Sequence, residues 1–319
     1  PLPANGDPMS LPQPLTVLLA LPTFRRPEGL ARLLESVTHL EVPPGCRLHV
    51  RVFDNSPESG ALDFVARLAQ AYPVPLAALH VPERGLSNVR NAALEVGLGG
   101  GFDRLGVIDD DEATEPEWLL AQLRALQNTG AHASEGAVYA SWTRPPPRWV
   151  EAGGFLEQRA GSGDLRDAAT SNILFDLAPV RRHGLRFDPR YDLTGGEDTA
   201  FFADYLAAGG RIVFAPDAIV HETIPPERTR LPWLWRRWRR TGETSARVAM
   251  DHGRPRWRAI VDGVIRLVAG TALAGAAAPL SLVGRPALWA KGVRIAARGL
   301  GCLSAASGRF TAEYAAPGR

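Results

Sequence analysis

Two hydrophobic rhythms alternate along the N-terminal third of this chain. Leu15 to Leu21 (LTVLLAL) is a continuous apolar run, the pattern of a strand covered on both faces. After Pro22-Thr23, apolar residues recur at helical spacing from about Pro27 to His39. Arg47 to Phe53 (RLHVRVF) alternates with period two and ends in the turn-forming Asp54-Asn55-Ser56-Pro57. A helix over Ala61 to Ala71, a strand over Leu76 to His80, a helix over Ser87 to Val96 and a strand over Leu105 to Ile108 follow in turn. The glycines between 97 and 101 follow a helix and precede a strand, so they read as a helix stop and not as a dinucleotide-binding loop. Repeated βα units predict an α/β fold, with a mostly parallel sheet and helices on both faces. Ligands bind such sheets beyond the carboxyl ends of the strands, and Thr23, Asp54 and Asp109 each follow a strand.

The last of these strands runs into Asp109-Asp110-Asp111-Glu112. Adjacent carboxylates repel one another at neutral pH unless a cation or hydrogen bonds offset the charge. Ligands that are all oxygen suit Mg²⁺ or Mn²⁺, which keep several waters and bridge to substrate phosphates. A solvated acidic turn before a helix starting near Pro116-Glu117-Trp118 is the plainer reading, and the cluster alone leaves both open.

The 319 residues are 45% hydrophobic and 22% charged, as in a folded protein of one large or two modest domains. Two cysteines, Cys46 and Cys302, supply neither a disulfide framework nor a zinc ligand set, which fits a reducing cytoplasm. Residues 1–14 are proline-rich and lack the basic and apolar segments of a signal peptide, so they read as a disordered tail. The net charge of +2 conceals a split: residues 226–319 hold 17 basic residues against 5 acidic ones, so an acidic body carries a basic C-terminal region. Pro232 to Arg240 interleaves Trp233, Trp235 and Trp238 with arginine, the composition of a helix at an anionic membrane surface. Leu267 to Gly284 carries no charge but is rich in alanine and glycine and broken by Pro279. Interfacial helices or packing against a second copy of the chain fit it as well as insertion. Nothing here resembles a nucleic-acid-binding module.

Five segments occur in order: Leu21-Pro22-Thr23-Phe24-Arg25-Arg26, Phe53-Asp54-Asn55-Ser56, Gly85-Leu86-Ser87-Asn88-Val89-Arg90-Asn91-Ala92, Ile108-Asp109-Asp110-Asp111-Glu112 and Thr194-Gly195-Gly196-Glu197-Asp198-Thr199. Over about residues 15–245 they resemble glycosyltransferase family 2, the inverting GT-A nucleotide-sugar fold, in the branch of succinoglycan-type exopolysaccharide glucosyltransferases. The resemblance implies a donor-binding half over residues 15–115 and an acceptor and catalytic half over 116–225, while the charge split and apolar pattern mark 226–319 as a basic, amphipathic helical region for membrane association or oligomerisation.

By the same resemblance Pro22, Thr23, Arg25, Asp54, Arg90, Asp109 and Asp110 contact the donor nucleotide. Asp111 and Asp109, with His221 downstream, hold Mn²⁺ or Mg²⁺. Ala169 to Phe175 lines the sugar pocket. Asp198 is the base that takes the acceptor proton, Glu197 assists it, and Arg237 or Arg240 faces the diphosphate leaving group. The partners implied are a nucleotide sugar, with UDP the favoured carrier, and a glycan or polyprenyl-diphosphate-linked acceptor. The basic C-terminal region makes the cytoplasmic face of the cell membrane the expected location, which fits a lipid-linked acceptor. A nucleotidyltransferase that makes nucleotide sugars also uses a parallel sheet and acidic metal ligands, but it carries a glycine-rich first loop, which Leu21-Pro22-Thr23-Phe24 lacks. A non-catalytic membrane scaffold of the same fold is the third reading, and intact Asp109, Asp111 and Asp198 argue against it.

Overall fold

The computed structural model describes residues 13–157, 163–192, 194–282, 284 and 286–311. Of the expected tail, residues 1–12 lie outside the described residues. Contacts gather into two units. The first holds the chain up to Tyr139, Gln158–Pro189 and Phe201–Glu222; the second holds Ala140–Glu157, Arg190–Ala200 and Thr223–Arg319.

In the first unit β1 (Leu15–Thr23) lies between β2 (Cys46–Asp54) and β4 (Arg104–Val107), with β3 (Leu76–His80) outside β2, and all these pairings are parallel. This central position explains the unbroken apolar run of β1. Val17, Leu19 and Leu21 enter one core with α1 (Pro27–Thr38), α2 (Ala61–Leu68) and α4 (Trp118–Thr129). Leu18 and Ala20 enter the opposite core with α3 (Leu86–Gly99), α6 (Leu177–His183) and the aromatic face of α7 (Glu197–Ala207). In that second core Phe175 meets Phe201, Phe202 and Tyr205 edge-on.

Beyond β4 the sheet turns antiparallel. β8 (Ile173–Asp176) pairs with β4 and with β6 (Ala133–Trp142), while β5 (Glu112–Thr114) and β7 (Asp164–Leu165) pair with the long β9 (Ile212–Ile224). The sheet order is β3-β2-β1-β4-β8-β6-β9-β5. The expected mostly parallel sheet is therefore parallel in its first half only, since the strands added beyond β4 run against their neighbours even though α4, α6 and α7 lie between them in sequence.

Asn172 knots this second half together. It sits in the left-handed region (φ 54) and is fully buried. Its Nδ2 donates to the carbonyls of Ala137 and Ala218, both at 2.8 Å, and its Oδ1 accepts from Trp118 Nε1 at 2.6 Å and Gln122 Nε2 at 3.1 Å. Both donors and both acceptor positions of the amide are thus used, which makes complete burial tolerable. Gly136 allows the approach, since a Cβ there would lie 2.0 Å from the Ala218 carbonyl oxygen.

In the second unit α8 (Leu231–Asp251) and α9 (Arg256–Leu282) pack on α10 (Ala287–Ala306), and α10 also meets α5 (Arg148–Gly153). The tryptophan–arginine segment behaves differently from a lipid-facing helix. Leu234 and Trp238 are buried, and Trp238 stands 5.2 Å from the Phe155 ring in a core that Trp233 and Trp235 flank. Indole rings that find aromatic and aliphatic partners inside the protein bury more area there than at a headgroup layer.

Candidate functional site

In the first unit the acidic cluster links β4 to β5. Glu112, expected in a loop, begins the short strand β5, where it lies opposite Glu222 of β9. Asp110 is buried and engaged with the loop after β1. Its Oδ2 accepts from Thr23 Oγ1 at 2.8 Å and from the Phe24 amide at 3.3 Å, and its Oδ1 accepts from Arg26 Nη1 at 2.9 Å. The same Arg26 nitrogen lies 2.9 Å from Asp111 Oδ2. Gly29, in the first turn of α1, rests against this loop: a Cβ there would meet the Asp110 carbonyl oxygen at 2.3 Å.

Asp109 is half-buried, and its amide donates to Glu112 Oε2 at 3.0 Å. Desolvation pushes the Asp109 carboxyl up to about 7; the Arg90 charge opposes this, and Asp111, Asp110 and Glu222 reinforce it. Burial, then Asp109 and Glu222, likewise hold Glu112 well above the usual carboxylate range. Arg26 and Arg90 therefore only partly offset the carboxylates, and the loop is electrostatically short of positive charge.

The structure thus brings Thr23, Asp109, Asp110 and Asp111 together, with Pro22 just before them on β1 and Arg90 coupled by charge to Asp109. Arg90 is buried on α3, its guanidinium 5.9 Å from the Phe187 ring centroid. Arg25 goes elsewhere. Its backbone is left-handed (φ 54), and its exposed side chain pairs with Glu58, Nε to Oε2 at 3.0 Å. Asp54 is buried and caps the turn into α2, accepting from the Ser56 and Ala61 amides, both at 2.8 Å. His221 Nε2 lies 2.9 Å from Glu115 Oε1. Among the described residues no group of three or more His, Cys, Asp or Glu side chains is arranged to hold an ion. Asp109, Asp111 and His221 therefore do not form a closed triad. Two carboxylates, substrate phosphate and water still suit a hard divalent cation, and the raised Asp109 carboxyl fits such a two-carboxylate site.

Arg26 and Gly29 hold this geometry and Glu222 adds negative charge beside it, yet the sequence alone assigns none of them a role. Adjacent Arg25 and Arg26 are indistinguishable by type, and only the left-handed turn at Arg25 sends the second one to the carboxylates.

In the second unit Gly195 (φ 75) and Gly196 (φ 102) lead into Glu197 and Asp198 at the start of α7. These angles favour glycine, and a Cβ on Gly196 would lie 2.3 Å from Thr244 Cγ2 of α8. Glu197 is buried, and Asp198 Oδ1 accepts from the Thr199 amide at 2.6 Å. Arg247 of α8 fastens the approach to this loop: its Nη1 donates to Thr194 Oγ1 at 2.8 Å, its Nη2 to the Arg190 carbonyl at 2.9 Å, and its Cζ sits 4.3 Å from the Tyr191 ring centroid. The Tyr191 hydroxyl in turn donates to Asp251 Oδ2 at 2.5 Å. Arg237 and Arg240 lie on the same helix, Arg237 5.4 Å from the Trp233 ring.

The model of the family described as "Glycosyl transferase family 2" matches residues 19–184. The succinoglycan biosynthesis protein ExoM of Rhizobium meliloti (strain 1021) is 37% identical over 246 residues, covering 76% of this chain and 78% of that protein. Among solved structures, S. aureus TarS 1–349 in complex with UDP-GlcNAc aligns with a TM-score of 0.53 at 12% identity, over 95% of this chain and 98% of that one. A longer TarS chain is matched over 39% of its length. GalNAc-T7 with UDP, GalNAc and Mn²⁺ gives 0.54 at 13% identity, over 74% of this chain and 48% of that one. At these identities the structures establish the fold. The family match and the 37% identical relative favour sugar transfer over nucleotidyl transfer or a silent scaffold. On the family model and this relative together, the chain belongs to glycosyltransferase family 2 and is a glycosyltransferase of the GT-A fold.

Proposed function

We propose that this enzyme transfers a sugar from a UDP-sugar to a glycan or polyprenyl-diphosphate-linked acceptor, with inversion and with help from a divalent ion, in bacterial polysaccharide synthesis at the cytoplasmic face of the membrane. The observation that carries this reading is the carboxylate cluster at the end of β4, whose charge Arg26 and Arg90 offset only in part. The TarS and GalNAc-T7 complexes support UDP as carrier, the Mn²⁺ of the GalNAc-T7 complex supports a divalent ion, and the name of the ExoM relative supports an exopolysaccharide product.

Asp111 and Asp109 would hold the ion, which supplies positive charge to the departing diphosphate. His221 would join them only by giving up Glu115. Thr23, Pro22 and Asp110 shape the first loop against the nucleotide, with Asp110 acting through Thr23 and Arg26. Asp54 receives the base through Oδ2, the oxygen that also accepts from the Ala61 amide. Arg90 stays close to Asp109, and Arg25 reaches the nucleotide from the exposed side of the loop. Ala169 to Phe175 borders the sugar, with Asn172 holding that segment in place. Asp198 takes the proton from the acceptor hydroxyl as its oxygen attacks the anomeric carbon opposite the diphosphate, and Glu197 positions the acceptor. Arg237 or Arg240 meets the charge that develops on the leaving group.

A screen of UDP-, GDP- and dTDP-sugars with Mn²⁺ tests the donor. Turnover should appear with a UDP-sugar, stop in excess chelator and return with Mn²⁺ or Mg²⁺, and an α-linked donor should give a β-linked product. Full turnover in chelator removes the ion from the mechanism, and a retained anomeric configuration removes inversion.

A further inference from the structure

α9 is built inside out for a helix that packs in water. Its seam with α10 is made of small residues whose backbones touch. A Cβ on Gly270 would lie 2.3 Å from the Ala296 amide nitrogen, one on Gly292 would lie 2.5 Å from that of Ala274, and one on Gly299 would lie 2.7 Å from the Gly263 carbonyl oxygen. Close approach through small residues is how helices associate in lipid, where large apolar side chains gain nothing by facing each other. The large side chains of α9 point away from the seam: Trp257, Ile260, Val261, Val264, Ile265 and Val268 are all exposed, Val268 by 65%. Steps of three and four residues keep Trp257, Val261, Val264, Ile265 and Val268 on one face. A helix packing in water would turn that face inward and leave the small residues outside.

Charge is distributed to match. Arg254, Arg256 and Arg258 gather at the start of the helix, and from Ala259 to Leu282 the charged residues are Asp262 and Arg266 alone. The region as a whole has 17 basic residues against 5 acidic ones. We propose that α9 docks this protein on an anionic lipid bilayer. The helix lies in the membrane plane, with the Trp257–Val268 face in the boundary between headgroups and acyl chains and Arg256 and Arg258 among the lipid phosphates, while Arg254 pairs with Asp262. By length and composition the segment Arg256–Leu280 suffices to cross a bilayer, its most apolar stretch of 18 residues having a mean hydropathy of 1.6. Its partner decides against crossing. α10 is joined to it through the glycine contacts and carries Lys291, Arg294 and Arg298, which a spanning α9 would draw into hydrocarbon. The membrane contact thus moves from the tryptophans of α8, which pack internally, to α9.

This inference deepens the membrane part of the proposed function. It is tested without donor or acceptor, so its failure leaves the sugar-transfer chemistry standing and the reverse is equally true. Full-length protein is sedimented with vesicles of phosphatidylcholine alone and of phosphatidylcholine with phosphatidylglycerol, over a range of salt. Binding should require the anionic lipid and weaken as salt rises, by about fivefold per arginine engaged. The variant carrying Val264→Ser and Val268→Ser should bind on the order of a hundredfold more weakly while its thermal melting is unchanged, because both side chains already face solvent. Brominated lipid should quench part of the wild-type tryptophan emission, and that part should vanish in Trp257→Phe. Unchanged vesicle binding by the double variant overturns the proposal, as does full quenching in Trp257→Phe. A protein that ignores anionic vesicles and instead passes from dimer to monomer in the double variant assigns this face to a second copy of the chain and overturns the membrane reading too.

Discussion

Replacing Gly29 with alanine tests whether the first turn of α1 sets the position of the acidic loop. Elsewhere in a helix the change would stabilise, by about 1 kcal/mol, through helix propensity. Here the new Cβ would stand 2.3 Å from the Asp110 carbonyl oxygen and 3.3 Å from its carbonyl carbon. Relief of such a contact takes a displacement of about 1 Å, since carbon atoms settle at roughly 3.5 Å or more from their neighbours. Both groups are backbone, so no side-chain rotation removes the clash. Overpacking of this kind costs about 1–3 kcal/mol, so after the propensity gain is offset the net loss reaches about 2 kcal/mol. Thermal melting should fall by up to roughly 8 °C, at about 2–4 °C per kcal/mol for a domain of this size. The functional loss should be larger, because Asp110 carries Thr23, the Phe24 amide and Arg26, and Arg26 carries Asp111. A misplacement near 1 Å costs on the order of 10²-fold in rate. Calorimetric donor binding, single-turnover transfer and a melting curve on the same preparation separate the two effects. A variant that melts higher than wild type and turns over normally would refute the reasoning, since α1 would then not rest on the acidic loop.

Asp198→Asn keeps the shape of the side chain but cannot take a proton, so transfer should drop by roughly 10²–10⁴-fold with donor affinity unchanged; wild-type transfer by this variant moves the base elsewhere, Glu197 first. The thiol of Cys46 is pushed up to about 11 by burial, which Arg104 only partly opposes. The folded state therefore retains the thiol proton more tightly than the unfolded chain does. The resulting stability is fully present below pH ~8.5, the thiol's unfolded value, and is lost as pH rises towards 11. Alkylation of native protein should be slow at pH 8 and fast after denaturation, and rapid labelling of Cys46 in the folded enzyme would contradict its burial.

How far the sequence carried these conclusions differs from element to element. β1 was legible because a strand covered on both faces is apolar at every step, and its motif residues sit at its end. β9 was not: Pro216-Asp217 in its middle reads as a turn, and both residues are exposed there while their neighbours stay paired in the sheet. The carboxylates announced themselves by type, whereas their counter-ions did not. Choosing Arg26 over Arg25 depends on one left-handed residue that no composition rule supplies. The tryptophan–arginine helix misled for a physical reason: indole and guanidinium serve a core seam and a lipid surface equally well, and only Phe155 decides between them. The exposed face of α9 was hidden for the converse reason, since valine and isoleucine at helical spacing are also what a core helix carries.

The fastening of Gly195-Gly196-Glu197-Asp198 to α8 bears on how this enzyme can be cut and recombined. Residues 190–200 are separated in sequence from the C-terminal helices, yet they depend on Thr244, Arg247 and Asp251, while Gly242 leaves room for the backbone of Arg298 in α10. A deletion from residue 251 made to obtain a more soluble protein would remove Asp251 and α10 and slacken the loop that carries Asp198. A chimera that exchanges the C-terminal helices between relatives would have to bring residues 190–200 with them. The two segments form one heritable block, and natural crossovers that split it should be selected against even though more than twenty residues of chain lie between them.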